Sequence, residues 1–143
     1  MNFATLGHLM YDNDIKVIPK EWIHNEWIYS PQINLNTVKG QITGLVLTAK
    51  QLMEQPIDHV RRKILDLTIF LQDNFDVDLV QLGALTTSVT MGGRWLVDQK
   101  RYGGFVNHGD SYTAAVTCQA VFKALDLFDK QPSDLVLAVV GAY

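Results

Sequence analysis

The sequence predicts an α/β fold, a sheet flanked by helices on both faces. Three observations lead there. Residues 56–75 set Ile57, Val60, Ile64, Leu67, Leu71 and Phe75 at steps of three or four, the apolar stripe of an amphipathic helix. A second stripe, Ala114, Cys118, Val121, Leu125 and Phe128, follows the polar opening Gly109-Asp110-Ser111. Short aliphatic runs stand before, between and after these two stripes, and strands that alternate with long helices build a covered sheet.

The elements follow in order. Residues 3–10 are apolar and precede Asp12-Asn13-Asp14, whose side chains supply turn chemistry, so they form a first strand. Residues 19–31 hold Trp22, Ile23, Trp27 and Ile28 between two prolines, a spacing that suits a short helical region or an extended segment over the core. Residues 33–38 and 42–48 read as two strands joined by a tight turn at Lys39-Gly40. Pro56 suits the first turn of the helix behind it, because its missing N–H has no partner there anyway. The opposite face of that helix carries Asp58, Arg61, Arg62, Asp66, Gln72 and Asp73 and is expected to be solvated, the basic residues 61–63 included.

Residues 79–89 read as a further strand, broken at Gly83 and finishing in Thr86-Thr87-Ser88. A loop with glycines at both ends, Gly92-Gly93 and Gly103-Gly104, leads on to the second helix. Asp110 or Ser111 can cap that helix. Residues 130–134 turn into a final aliphatic run, 135–140, which meets Gly141. Such a run is either a core strand of this domain or the first strand of a nucleotide-binding domain, which leads into a phosphate-cradling glycine turn.

Composition narrows the function. At 143 residues the chain has the size of one domain, and its net charge of −3 comes without a basic stripe, which argues against nucleic acid as a partner. One cysteine excludes an internal disulfide and a cysteine metal cluster, and fits a reducing cytoplasm. The start lacks a basic segment followed by a long apolar one, and no apolar run approaches the ~20 residues of a membrane span. A soluble cytoplasmic protein is expected.

Four histidines, His8, His24, His59 and His108, show no metal-ligand spacing, so no metal site is expected. His8 follows Gly7 at the end of the first strand, where a sheet presents residues to a ligand crevice or simply hydrogen-bonds its own strand end. Cys118 lies in an apolar stripe, where a buried thiol is inert. Thr86, Thr87 and Ser88 can bind a polar substrate or finish a strand. The polar group 107–113 stands where a helix begins, a place suited to an anion, although the carboxylate of Asp110 would compete for the same donors. A serine hydrolase built on Ser88 or Ser111 lacks the Gly-x-Ser-x-Gly elbow and an evident histidine and acid to activate it.

Four segments together resemble a family. They are Leu6-Gly7-His8-Leu9, Leu82-Gly83-Ala84-Leu85-Thr86-Thr87-Ser88, Gly109-Asp110-Ser111-Tyr112-Thr113-Ala114 with Cys118, and Val139-Val140-Gly141-Ala142. The first is similar to an opening glycine-histidine-leucine. The second resembles a leucine-glycine-glycine-phenylalanine-threonine-serine strand, the third a glycine-asparagine-threonine/serine segment ending in threonine-alanine, and the fourth the entry to a nucleotide-binding glycine motif. The family is that of the long-chain acyl-[acyl-carrier-protein] reductases and related predicted amino-acid dehydrogenases. The chain departs from it at Asp110, Tyr143 and residues 92–104.

The resemblance implies a fold similar to the N-terminal substrate domain of amino-acid-dehydrogenase-like proteins. It divides the chain into a substrate-binding domain, residues 1–133, and the first strand of a truncated nucleotide-binding domain, residues 134–143. Gly83, Thr86, Thr87 and Ser88 would line a substrate cleft, Gly109, Ser111 and Thr113 its facing wall, with His8 nearby, and Gly141 would bind cofactor. NAD(P) would be held by the full-length protein and not by this chain alone. The implied function is the substrate side of an NAD(P)-dependent reductase or dehydrogenase, with a small molecule or acyl thioester as substrate, a nucleotide-binding domain of the same polypeptide as partner, and no catalytic residue within this chain. The alternative is a stand-alone binding or assembly module that forms a homodimer through its terminal strand.

Overall fold

The computed structural model describes residues 1–139, which form an α/β protein with a mixed seven-stranded sheet and five α-helices. Two compact units divide the chain, Met1–His108 and Gly109–Tyr143, and all seven strands lie in the first.

The strands of the first unit are β1 (Asn2–Leu9), β2 (Ile23–His24), β3 (Trp27–Tyr29), β4 (Ile33–Leu35), β5 (Val38–Thr48), β6 (Val77–Leu82) and β7 (Phe105–Asn107). Their order across the sheet is β2-β3-β5-β1-β6-β7, with β4 also paired to β5. The four strands β5, β1, β6 and β7 run parallel, and β3 and β4 lie antiparallel along the outer edge of β5. From β1 the chain goes to one side, to β5, and then crosses to the other, to β6. The ends of β1 and β6 therefore sit side by side with loops that leave in opposite directions.

The helices of this unit are α1 (Ala49–Glu54), α2 (Ile57–Phe75), α3 (Leu85–Val89) and α4 (Arg94–Val97). The stripe on α2 buries Val60, Ile64, Leu67 and Leu71 against Ala4 and Leu6 of β1, Leu45 of β5 and Val80 and Leu82 of β6. Leu52 of α1, Val89 of α3 and Leu96 of α4 join the same core, so all four helices gather on one face. By strand alternation the other face carries Phe3, Thr5 and Gly7, with Ile42 49 % and Phe105 70 % exposed. Helical cover by this unit's own helices is thus limited to one face, because the connection from β1 to β5 contains short 3₁₀ turns and hairpins in place of a crossover helix.

Thr48 opens α1 with a capping box, its hydroxyl accepting from Gln51 N while the Gln51 side chain accepts from Thr48 N. The basic residues 61–63 are less free than their helical face suggests. Arg61 donates to Val89 O at 2.8 Å and lies over the Trp95 ring, which pins α3 and α4 to α2. Lys63 pairs with Glu26 of the β2–β3 turn.

Several sequence expectations change. Residues 19–31 are a 3₁₀ turn, Lys20–Trp22, and the β2–β3 hairpin, since Trp27, Tyr29, Phe70 and Phe75 form an aromatic cluster that an extended strand presents to α2. The turn between β4 and β5 falls at Asn36-Thr37, where Asn36 takes φ 50°, and Gly40 lies inside β5. Glycine is needed at position 40 because a Cβ there would overlap the ring of Phe3 on β1. Residues 85–89, expected as the end of a strand, are the helix α3. The loop 92–104 contains α4, and β7 was not anticipated at all.

The second unit contains α5 (Asp110–Leu127), with Gly109 at its N-cap in the left-handed conformation at φ 77°. The capping position therefore has no side chain, and neither Asp110 nor Ser111 occupies it. Of the predicted stripe only Leu125 is buried, and Cys118 is exposed. Residues 135–139 belong to no strand, and Val136 is 97 % exposed. The remainder of that predicted strand, with Gly141, lies outside the described residues.

Candidate functional site

The carboxyl ends of β1 and β6, with the middle of β5 beside them, hold a cleft of about 450 Å³ on the face away from the helices. In open α/β sheets the crevice beyond the strand carboxyl ends, where neighbouring loops diverge, is the usual place for a ligand. The floor is made of glycine. Gly7 of β1 is in register with Gly44 of β5, and Gly83, just past β6, donates its N–H to Leu6 O at 2.9 Å and so lies beside them. Leu9, Ile18, Ile28 and Ile42 form apolar walls, and Thr5, Thr43 and Gln81 add neutral polar groups.

The Thr43 hydroxyl is already donated to Thr5 O at 2.6 Å. Among the described residues no Lys, Arg, Asp or Glu lines this cleft. It suits an uncharged, largely apolar group laid against backbone. Packing within the unit does not demand all of these glycines. A Cβ built on Gly7 meets no atom within 4 Å, and one on Gly83 meets only Leu6 O at 3.6 Å. At Gly44 it would stand 3.2 Å from Gly7 O, a tight fit.

Directly above this floor the chain makes a sharp elbow from β6 into α3. Ala84 sits at its apex with φ 51° and ψ −134°, a backbone conformation that favours glycine. The fully buried Thr86 hydroxyl donates to Gly83 O at 2.7 Å, with Leu6 O a second acceptor at 3.2 Å, and accepts from Gly83 N at 3.2 Å. Thr86 thus holds the elbow, its proton committed and its side chain buried away from a ligand.

The expected site residues separate into two groups. His8, Gly83, Thr86, Thr87 and Ser88 come together around the elbow in the first unit. Of these His8 and Gly83 line the cleft, Thr86 is buried, Thr87 is half-buried and Ser88 is exposed. The ring of His8 turns to the elbow, with Nδ1 2.7 Å from Leu9 O and Nε2 3.3 Å from Leu85 N. Gly109, Ser111 and Thr113 open α5 in the second unit, where Ser111 and Thr113 are exposed. Gly7 and Gly44 are the additions. A glycine in or beside each of three apolar strands was the available signal, but only the parallel register brings Gly7 and Gly44 side by side.

Among the described residues no group of three or more His, Cys, Asp or Glu side chains is arranged to hold a metal, and no helix is long and apolar enough to cross a membrane. Among the described residues the strongly displaced titration belongs to Tyr102, whose hydroxyl donates to Phe105 O at 2.7 Å. Burial pushes it up to about 12, aided by the nearby Asp78 carboxylate and opposed by a backbone hydrogen bond at Val80. It supports β7 and lies outside the cleft lining. Neither a protein-family model nor a curated protein matches the chain.

Proposed function

We propose that this chain is the N-terminal substrate-binding part of a cytoplasmic NAD(P)-dependent reductase or dehydrogenase, related to the long-chain acyl-[acyl-carrier-protein] reductases and predicted amino-acid dehydrogenases. The observation that carries the reading is the glycine-floored cleft at the diverging ends of β1 and β6. Its neutral, apolar lining suits the uncharged part of a small molecule or acyl thioester. Ala84 lends independent support. Its φ of 51° is a glycine conformation at the position where the resembled family carries its second glycine.

The described residues do not fit a dinucleotide. The cleft has no lysine or arginine side chain to meet a pyrophosphate, and the turn after β6 opens a helix of only five residues. In this reading the cofactor belongs to a following nucleotide-binding domain, entered through Gly141, and helices of the complete protein cover the open sheet face. The role of residues 1–133 is to bind and orient substrate for that domain.

The test is calorimetry on the chain with acyl-pantetheine thioesters, hydroxy acids and amino acids, repeated with Gly7→Leu. One class binds and Gly7→Leu weakens it by roughly tenfold or more, since filling a shaped pocket removes its complementarity. Tight NAD(P)H binding, or binding that ignores Gly7→Leu, overturns the reading.

The exposure of Leu135, Val136, Leu137 and Val139 also favours a second reading, an assembly module that dimerises through this segment. Light scattering separates the two, since the module requires a dimer that Val136→Asp dissolves.

A further inference from the structure

The ring of His8 has one workable protonation state. Leu9 O can only accept, so Nδ1 at 2.7 Å must carry a proton. The Leu85 N–H can only donate, so Nε2 at 3.3 Å must be bare. A doubly protonated imidazole would turn a donor toward the Leu85 N–H. That amide follows Ala84, whose positive φ is unfavourable for any residue with a side chain and persists only when its surroundings enforce it. Three contacts do so: Gly83 N to Leu6 O at 2.9 Å, the Thr86 hydroxyl to Gly83 O at 2.7 Å, and His8 to Leu85. Only the last of them can respond to pH.

We propose that His8 is a pH-sensitive latch on the cleft. Neutral, it fixes the elbow 83–85 and with it the cleft edge formed by Gly83. Protonated, it releases Leu85, the strained peptide at Ala84 relaxes, and the edge moves.

The electrostatic surroundings leave this role to His8 itself. No titratable side chain hydrogen-bonds or ion-pairs with it among the described residues. α3 bears no titratable group, while Lys39 of β5 and Asp78 of β6 stand at the far ends of their strands. On α1, Lys50 and Glu54 are exposed and pair with each other. Arg61 of α2 is committed to Val89 O. Asp14, in the loop after β1, accepts from Met10 N and Tyr11 N. The latch is independent of which ligand the cleft takes.

Amide hydrogen exchange by NMR tests it on the whole chain, with Val80 in central β6 as the internal reference. Between about pH 8 and about pH 5, Leu85 protection relative to Val80 falls by roughly tenfold. In His8→Gln, which does not titrate, the ratio stays constant. A pH-independent ratio in the unaltered chain, or the same fall in His8→Gln, overturns the latch. Ring ¹⁵N spectra of the unaltered chain need no variant: the Nδ1–H tautomer at about pH 8 is expected, and the Nε2–H tautomer refutes the proposal.

Discussion

Replacing Ala84 by glycine should make this protein more stable. In most positions the reverse holds, because glycine adds backbone freedom to the unfolded chain, a cost of about 0.4–1 kcal/mol. At φ 51° and ψ −134°, however, the Cβ of alanine crowds its own backbone, and such conformations cost of order 1–3 kcal/mol for a residue with a side chain. The difference is a net gain of about 1 kcal/mol. Ala84→Val adds branching at the same strained position and should lose about 1–3 kcal/mol. Urea unfolding followed by tryptophan fluorescence measures both. The midpoint should rise for glycine and fall for valine with unchanged slopes. A lower midpoint for Ala84→Gly would refute the strained elbow, and the latch argued from it would lose its stored strain.

Two further predictions concern neighbouring strands and alkaline pH. Gly40→Ala forces a methyl group into the Phe3 ring and should cost about 1–3 kcal/mol, whereas Gly7→Ala enters open space and should leave urea stability within about 1 kcal/mol. Equal losses for the two would contradict the cleft floor. Tyr102 keeps its proton up to about 12 in the folded chain, against 10.0 when unperturbed, so its stabilising contribution is complete below pH 10 and is lost as pH rises toward 12. That displacement corresponds to roughly 2–3 kcal/mol, and alkaline unfolding should be less steep in Tyr102→Phe. Identical alkaline profiles would remove the burial argument.

How much could be read in the chain follows from how local each signal is. The α2 stripe, β1 and the opening of α5 are written in contiguous residues, and they appear within a residue or two of where the periodicity puts them. Residues 79–89 misled because Thr86, Thr87 and Val89 are β-branched and suit a strand, while the elbow that ends β6 contains an alanine where a turn would ordinarily announce itself with glycine. Gly40 resembled a turn for the opposite reason. Its absent side chain serves Phe3 on a neighbouring strand, a partner that only the parallel register reveals. The candidate site was legible in the same uneven way. His8 stood out at a strand end and Gly83 as a break within one, but Gly44 acquires meaning only beside Gly7, and Thr86 looked like a ligand-binding hydroxyl until its buried partners were known.

In the proposed function a substrate lies on the floor of Gly7, Gly44 and Gly83. Backbone ¹H–¹⁵N spectra of the chain, titrated with the acyl-pantetheine thioesters, hydroxy acids and amino acids, address it most directly. One class should shift the amides of these three glycines together, and Gly7→Leu should abolish the shifts while the core amides of Val80 and Leu67 keep their positions. Shifts confined to other residues, or glycine shifts that survive Gly7→Leu, would contradict it.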